Sequence, residues 1–319
     1  MNEQLKEGIV ESVIEENKES QSLEVLIDGK KVIVETGAAH SVRRQTYKQG
    51  DKLLVGVAEQ LGAPVYYVKD FVRTDALLSL LLVFIISVVV VAKKKGFFSL
   101  LGMGVSFAIL FLYTLPAIIS GTDPVSVSLI TAGMLVPITF YVSHGFSKKT
   151  HIAVISSLIS LTAVVALSVI WIEWAKLTGY SSEEATFLDV IGKGKFDMRG
   201  ILLAGIIIGS IGILDDVTVS QISIVEQLRE VGKHQSSNEL FLRAMKIGGD
   251  HISSMVNTLI LVYTGAALPL LLLFVTNPQP AAQVIQYEMI AEEIIRSLIG
   301  SIGLIISVPL STFIASRNV

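Results

Sequence analysis

The sequence predicts an all-α polytopic membrane helix bundle of about seven transmembrane helices, preceded by a small β-rich soluble domain. Three observations lead there. Mean hydropathy is +0.65 and 51% of residues are hydrophobic. Charge is segregated: residues 1–75 hold thirteen of the 28 acids and ten of the 25 basic residues. Beyond them, charge sits between long runs that are apolar all round, where a soluble helix would show one apolar stripe.

Residues 1–72 read as the soluble domain. Ser22–Ile27 and Lys31–Glu35 are strand-like and flank Asp28-Gly29-Lys30, a hairpin signal. Lys52–Val57 and Val65–Val68 add short strands, enough for a compact barrel-like module. Residues 73–319 form the helical domain, with apolar runs near 76–92, 97–119, 124–142, 152–172, 200–216, 252–275 and 295–315.

Lysine and arginine set the expected orientation. Lys93, Lys94 and Lys95 follow the first run, so its C-terminal end is expected in the cytoplasm. Threading onward places Lys148, Lys149, Arg229, Lys233, Arg243, Lys246 and Arg317 inside. Lys176, Lys193, Lys195, Arg199 and Arg296 fall outside. The N-terminal domain is then extracytoplasmic and the C-terminus cytoplasmic. No N-terminal apolar segment resembles a signal peptide. Export of the domain therefore requires either a first helix acting as a reverse anchor or a start of the protein lying outside this sequence.

Two loops carry amphipathic signals. Ser181-Ser182-Glu183-Glu184 has capping-box spacing ahead of Ala185–Ile191. Ile222, Val225, Leu228 and Val231 recur at helical spacing, predicting an inner-face helix that ends near Gly232.

The candidate site starts at Asp215-Asp216, which closes the apolar stretch Ile201–Leu214. Fourteen residues reach only about 21 Å, against a bilayer core of roughly 30 Å. The acids are therefore expected at the membrane edge or within it, where charge points to function. Three readings stay open: a cap for a helix beginning near Val217, a cation or proton site, and a salt bridge to a loop cation. A second cluster, Asp250 and His251 with Asn257 deeper in, is expected on the same side. Asp250 reads as the N-cap of the sixth helix, and His251 adds an imidazole beside it. Together with the acid pair they would suit a divalent cation or a proton relay. Asn257 also reads as interhelical glue.

Gly205, Gly209 and Gly212 run down one helix, and Gly300 and Gly303 down another, predicting close helix packing. The matching strings Gly209–Gly212 and Gly300–Gly303 hint at duplication. So does the echo of 122–128 in 214–220, as in transporters with inverted repeats. His40, His144, His151 and His234 read as loop residues. With no cysteine and no soluble-enzyme or cofactor motif, neither catalysis nor a cofactor is expected. The net charge of −3 argues against a nucleic-acid partner.

Three strings, residues 196–221, 244–274 and 292–312, with the HGFSKKT loop at 144–150, resemble the YibE/F-like family of bacterial multi-pass membrane proteins. The N-terminal module is also similar to that family's extracytoplasmic domain, which an additional helix often precedes. The resemblance implies a permease-like integral membrane protein and carries over no site residues. The expected function is movement of an ion or small solute across the plasma membrane. The alternative is a scaffold or sensor whose outer domain binds a protein partner. The lipid bilayer is the expected environment.

Overall fold

The structure, a computed structural model, describes residues 4–17, 20–36, 46–60, 63–232, 235–276 and 280–318. The readings of His40, Lys233 and His234 lie outside the described residues. The chain divides into two compact units, residues 1–87 and 88–319.

The first unit contains a closed five-stranded barrel: β1 (Gln4–Glu16), β2 (Gln21–Ile27), β3 (Lys30–Glu35), β4 (Lys52–Gln60) and β5 (Ala63–Phe71). The order is β1-β2-β3-β5-β4, antiparallel except for the β3–β5 pair. Alternation along β2 sends Leu23, Val25 and Ile27 inward, onto Val10, Val34 and Leu53. The β2–β3 connection is the expected tight turn. Asp28 and Gly29 both have positive φ, 50° and 76°, as a right-twisting two-residue hairpin requires. The longest strand, β1, was not anticipated. Its alternation is blurred by apolar residues left exposed, Leu5, Ile9 and Ile14 among them.

The helical part is made of α1 (Thr74–Ile109), α2 (Leu115–Ile119), α3 (Pro124–His144), α4 (Lys148–Trp174), α5 (Glu183–Gly192), α6 (Met198–Val231), α7 (Ser237–Ala266), α8 (Leu268–Thr276), α9 (Ala281–Val284) and α10 (Glu288–Asn318). A π-helical turn, Leu110–Thr114, joins α1 to α2. Among the described residues, five helices are long and apolar enough to cross a membrane, or six if the bent pair α7–α8 is one span. This differs from the seven expected runs in two places. Residues 74–119 count as one stretch, yet it breaks between the first two runs, at Lys93, whose φ of 52° and ψ of −130° are not helical. Gly96 follows the break so tightly that a Cβ there would lie 2.5 Å from the Val88 carbonyl oxygen. The sixth run is broken at Ala267, where α7 and α8 meet at 65°. Pro269 explains that break: it has no N–H to donate, and it disfavours a helical residue before it.

Other helix starts follow their caps. Asp123 accepts from Ser126 N at 2.8 Å with Pro124 in the first turn, and Asp197 accepts from Gly200 N at 3.0 Å. Ser236 and Glu239 form a reciprocal capping box that starts α7. α5 is present where a short amphipathic helix was expected, but Ser182 caps it through Ala185 N. α6 is central: it packs against α3, α4, α7 and α10. Its core contacts include Ile207, Leu214 and Ile222, with Phe140, Val164 and Ile172 from neighbouring helices.

Candidate functional site

The acid pair lies in the middle of α6. The helix runs unbroken through Asp215 and Asp216, so neither caps anything, and the expected inner-face helix is the second half of the same element. Thirty-four residues extend about 51 Å, with Asp215 about 26 Å from the N-terminal end. The apolar stretch looked short because its helix does not stop where the apolar residues do. Asp215 is half-buried and Asp216 exposed. Neither carboxylate has a hydrogen bond or ion pair among the described residues. Four basic groups of the bundle are engaged elsewhere. Lys149 donates to Ser223 and pairs with Glu226, and Arg229 donates to the carbonyls of Gln235 and Ser316. Arg199 pairs with Glu173, and Arg296 with Glu292 and Glu293. The cap and salt-bridge readings therefore fall away.

The second cluster is placed differently from expectation. Asp250 is not an N-cap, because α7 begins thirteen residues earlier at Ser237. Asp250 and Asn257 are exposed and His251 is half-buried. Gln221 of α6 meets Ala244 and Gly248 of α7, while Ile213 lies on the Gly300 contact that Tyr263 also approaches. α6 and α7 are thus antiparallel, and this register sets His251 near the depth of the acids. No group of three or more His, Asp or Glu that could hold a metal ion exists among the described residues. The four-residue divalent site is not assembled.

What the fold brings together instead is Gln221, which was not singled out in the sequence. It is fully buried. Its Nε2 donates to Ala244 O at 3.1 Å and to Thr312 Oγ1 at 2.8 Å, tying α6 to α7 and α10. Its Oε1 is buried with no partner. Gly248 makes room for it: a Cβ there would sit 2.9 Å from Gln221 Nε2 and 2.7 Å from Val308 Cγ1. One turn away, Thr218 shares a hydrogen bond with Ser157 of α4 at 2.9 Å. Ser156 and Ser160 on α4 are buried with hydroxyls that have no partner. Ser301, Ser311 and Thr312 continue the hydroxyl lining along α10, each bonding its own preceding turn. The contact region of α4, α6 and α10 is therefore a hydroxyl-rich seam that includes the acid-bearing helix, with unpartnered Ser156 and Ser160 on α4 and the unpartnered Gln221 Oε1 where α6 meets α7 and α10. The signal was a lone amide in a run of hydroxyl and branched apolar residues, six positions after Asp215.

The glycines separate into two kinds. A Cβ at Gly303 would lie 2.4 Å from Val164 Cγ2, so α10 crosses α4 there, and Gly300 rests on Ile213. Gly205, Gly209 and Gly212 are exposed and meet nothing within 4 Å, so they do not pack helices within this chain. The matching strings are thus not equivalent in packing. The other echo fails too, since Asp123 caps a helix and its counterparts sit mid-helix. His144 and His151 are helical rather than loop residues, and His151 Nδ1 lies 2.7 Å from Ser147 O.

At the opposite end of α10, Glu288 accepts from Thr178 and Gly179, and Glu292 from Ser181 and Arg296. A cavity of about 680 Å³ adjoins this end, in the elbow between α7 and α8. None of the site residues expected from sequence lines it.

Helices of this length and apolarity around one central helix are the architecture of an integral membrane protein. The chain belongs to the YibE/F-like family, whose model, described as YibE/F-like protein, matches residues 80–319. No curated protein and no solved structure matches it.

Proposed function

We propose that this chain moves a cation or proton across the bacterial plasma membrane, with Asp215 and Asp216 as the charged site and the α4–α6–α10 seam as the polar route beside it. The observation that carries this reading is the acid pair itself: two carboxylates in mid-helix on the central helix, without a cationic partner among the described residues. Ionisable groups so placed are costly unless they are used. The unsatisfied Gln221 Oε1, Ser156 and Ser160 hydroxyls support it, because polar groups buried without partners suit water or a passing ion. No catalytic role is read into any of these groups. The working orientation keeps the N-terminal barrel outside and the C-terminus inside, on the lysine asymmetry. The chain has no cysteine, so single cysteines at Lys30 and Lys148 test it. An impermeant thiol reagent on intact cells is expected to label position 30 only; labelling of 148 alone reverses the topology.

A cation site raises the stability of the folded protein when its ion is present. The detergent-purified protein is expected to melt at a higher temperature with its cation, or to shift its melting with pH if the ion is a proton. Asp215→Asn and Asp216→Asn should lose that response, since an amide keeps the shape and removes the charge. If wild type responds to neither cations nor pH, or the variants respond equally, the acids are structural.

A further inference from the structure

The cavity at the α7–α8 elbow shares no residue with the acid pair and does not depend on the transport reading. Its volume, about 680 Å³, falls in the range of small-molecule sites, roughly 300–1,000 Å³. Ten of its fourteen lining residues are hydrocarbon or phenyl, among them Ile260, Leu271, Phe274 and Ile294. The polar remainder is Tyr263, Thr264, Glu293 and Ser297. No lysine or arginine is among the described residues that line it. Among the described residues, Glu293 shares its one cationic partner: Arg296 Nη1 is 2.9 Å from Glu293, while Nη2 serves Glu292. Glu288, in the same first turns of α10, takes its hydrogen bonds from the neutral groups of Thr178 and Gly179. Among the described residues of these turns, three carboxylates thus stand against one guanidinium, and Glu293 is the one that lines the apolar chamber. A fatty acid or anionic lipid would bring its head to this negative field. A bulky apolar group bearing a positive centre satisfies both halves of the lining.

We propose that the elbow cavity binds lipophilic organic cations, with the apolar groups among Leu271, Phe274 and Ile294 and the positive centre against Glu293. The 65° bend at Ala267 is what opens the space, and it gives Pro269 a functional consequence.

The test uses the full-length protein in detergent, with radiolabelled tetraphenylphosphonium as probe. Saturable binding is expected, and palmitate should not displace it. Glu293→Gln removes the charge and leaves Arg296 paired with Glu292. It should weaken binding by about tenfold or more. Ala267→Phe fills the elbow and should abolish binding. Thermal melting confirms that each variant is folded, and Glu293→Gln alone decides if the filled variant is not. Asp215→Asn should bind like wild type. Absence of saturable binding, binding unchanged by Glu293→Gln, or displacement by palmitate overturns the proposal.

Discussion

Replacing Gly303 by leucine should destabilise the detergent-purified protein by about 3 kcal/mol, the upper end of what overpacking costs. The Cβ alone would stand 2.4 Å from Val164 Cγ2, and valine is stiff about χ1, so the neighbour cannot swing aside. Leucine is the better helix former by less than about 1 kcal/mol, too little to offset the clash. Two controls make the prediction specific. Val164→Ala in the same chain should recover much of the loss, because it removes the atom that is struck. Gly209→Leu should leave the melting temperature unchanged or raised, since nothing lies within 4 Å of that position. Equal destabilisation by both leucines would mean that Gly209 faces a second protein surface.

Gly248→Leu should cost a similar amount, about 2–3 kcal/mol, by a different route. Its Cβ meets Val308 Cγ1 at 2.7 Å and the Gln221 amide at 2.9 and 3.1 Å. The amide cannot retreat without giving up Ala244 O and Thr312 Oγ1. Gln221→Leu makes the contrast. Ala244 lies inside α7, where its carbonyl has the helix ladder, and Thr312 bonds back to Val308 O at 2.6 Å, so neither is stranded. Hydrogen bonds between membrane helices average about 0.6 kcal/mol, and the leucine also removes the unpaired Oε1. Gln221→Leu should therefore stay within about 1 kcal/mol of wild type in melting experiments. A large loss would show that water or an ion satisfies Oε1 in the native protein.

Much of the fold could be read in the sequence because the strongest signals are local. The Asp28-Gly29 turn, the apolar runs and the stop at Gly232 each depend on a few adjacent residues. Helix extent was harder. The apolar stretch before Asp215 marks where composition changes, and α6 continues past it because Val217, Gln221, Ile222 and Val225 find a buried face. Likewise Asp250 looked like a cap because apolar residues begin there, while the actual start of α7 lies at the more polar Ser236-x-x-Glu239 box. Which glycines pack depends on the faces that meet, and spacing alone is the same for Gly209–Gly212 and Gly300–Gly303. Gln221 was overlooked because its importance lies in Thr312, 91 residues away.

The central claim is that the α6 acids carry charge across the membrane. Its most direct measurement is cation or proton flux into proteoliposomes of the purified chain under an imposed ion gradient, with wild type, Asp215→Asn, Asp216→Asn and Gln221→Leu compared at equal reconstitution. The account predicts flux above that of protein-free vesicles, lost in at least one aspartate variant and reduced in Gln221→Leu although that variant remains folded. Flux that both asparagine variants retain, or wild-type vesicles no more permeable than empty ones to any cation tried, would contradict it.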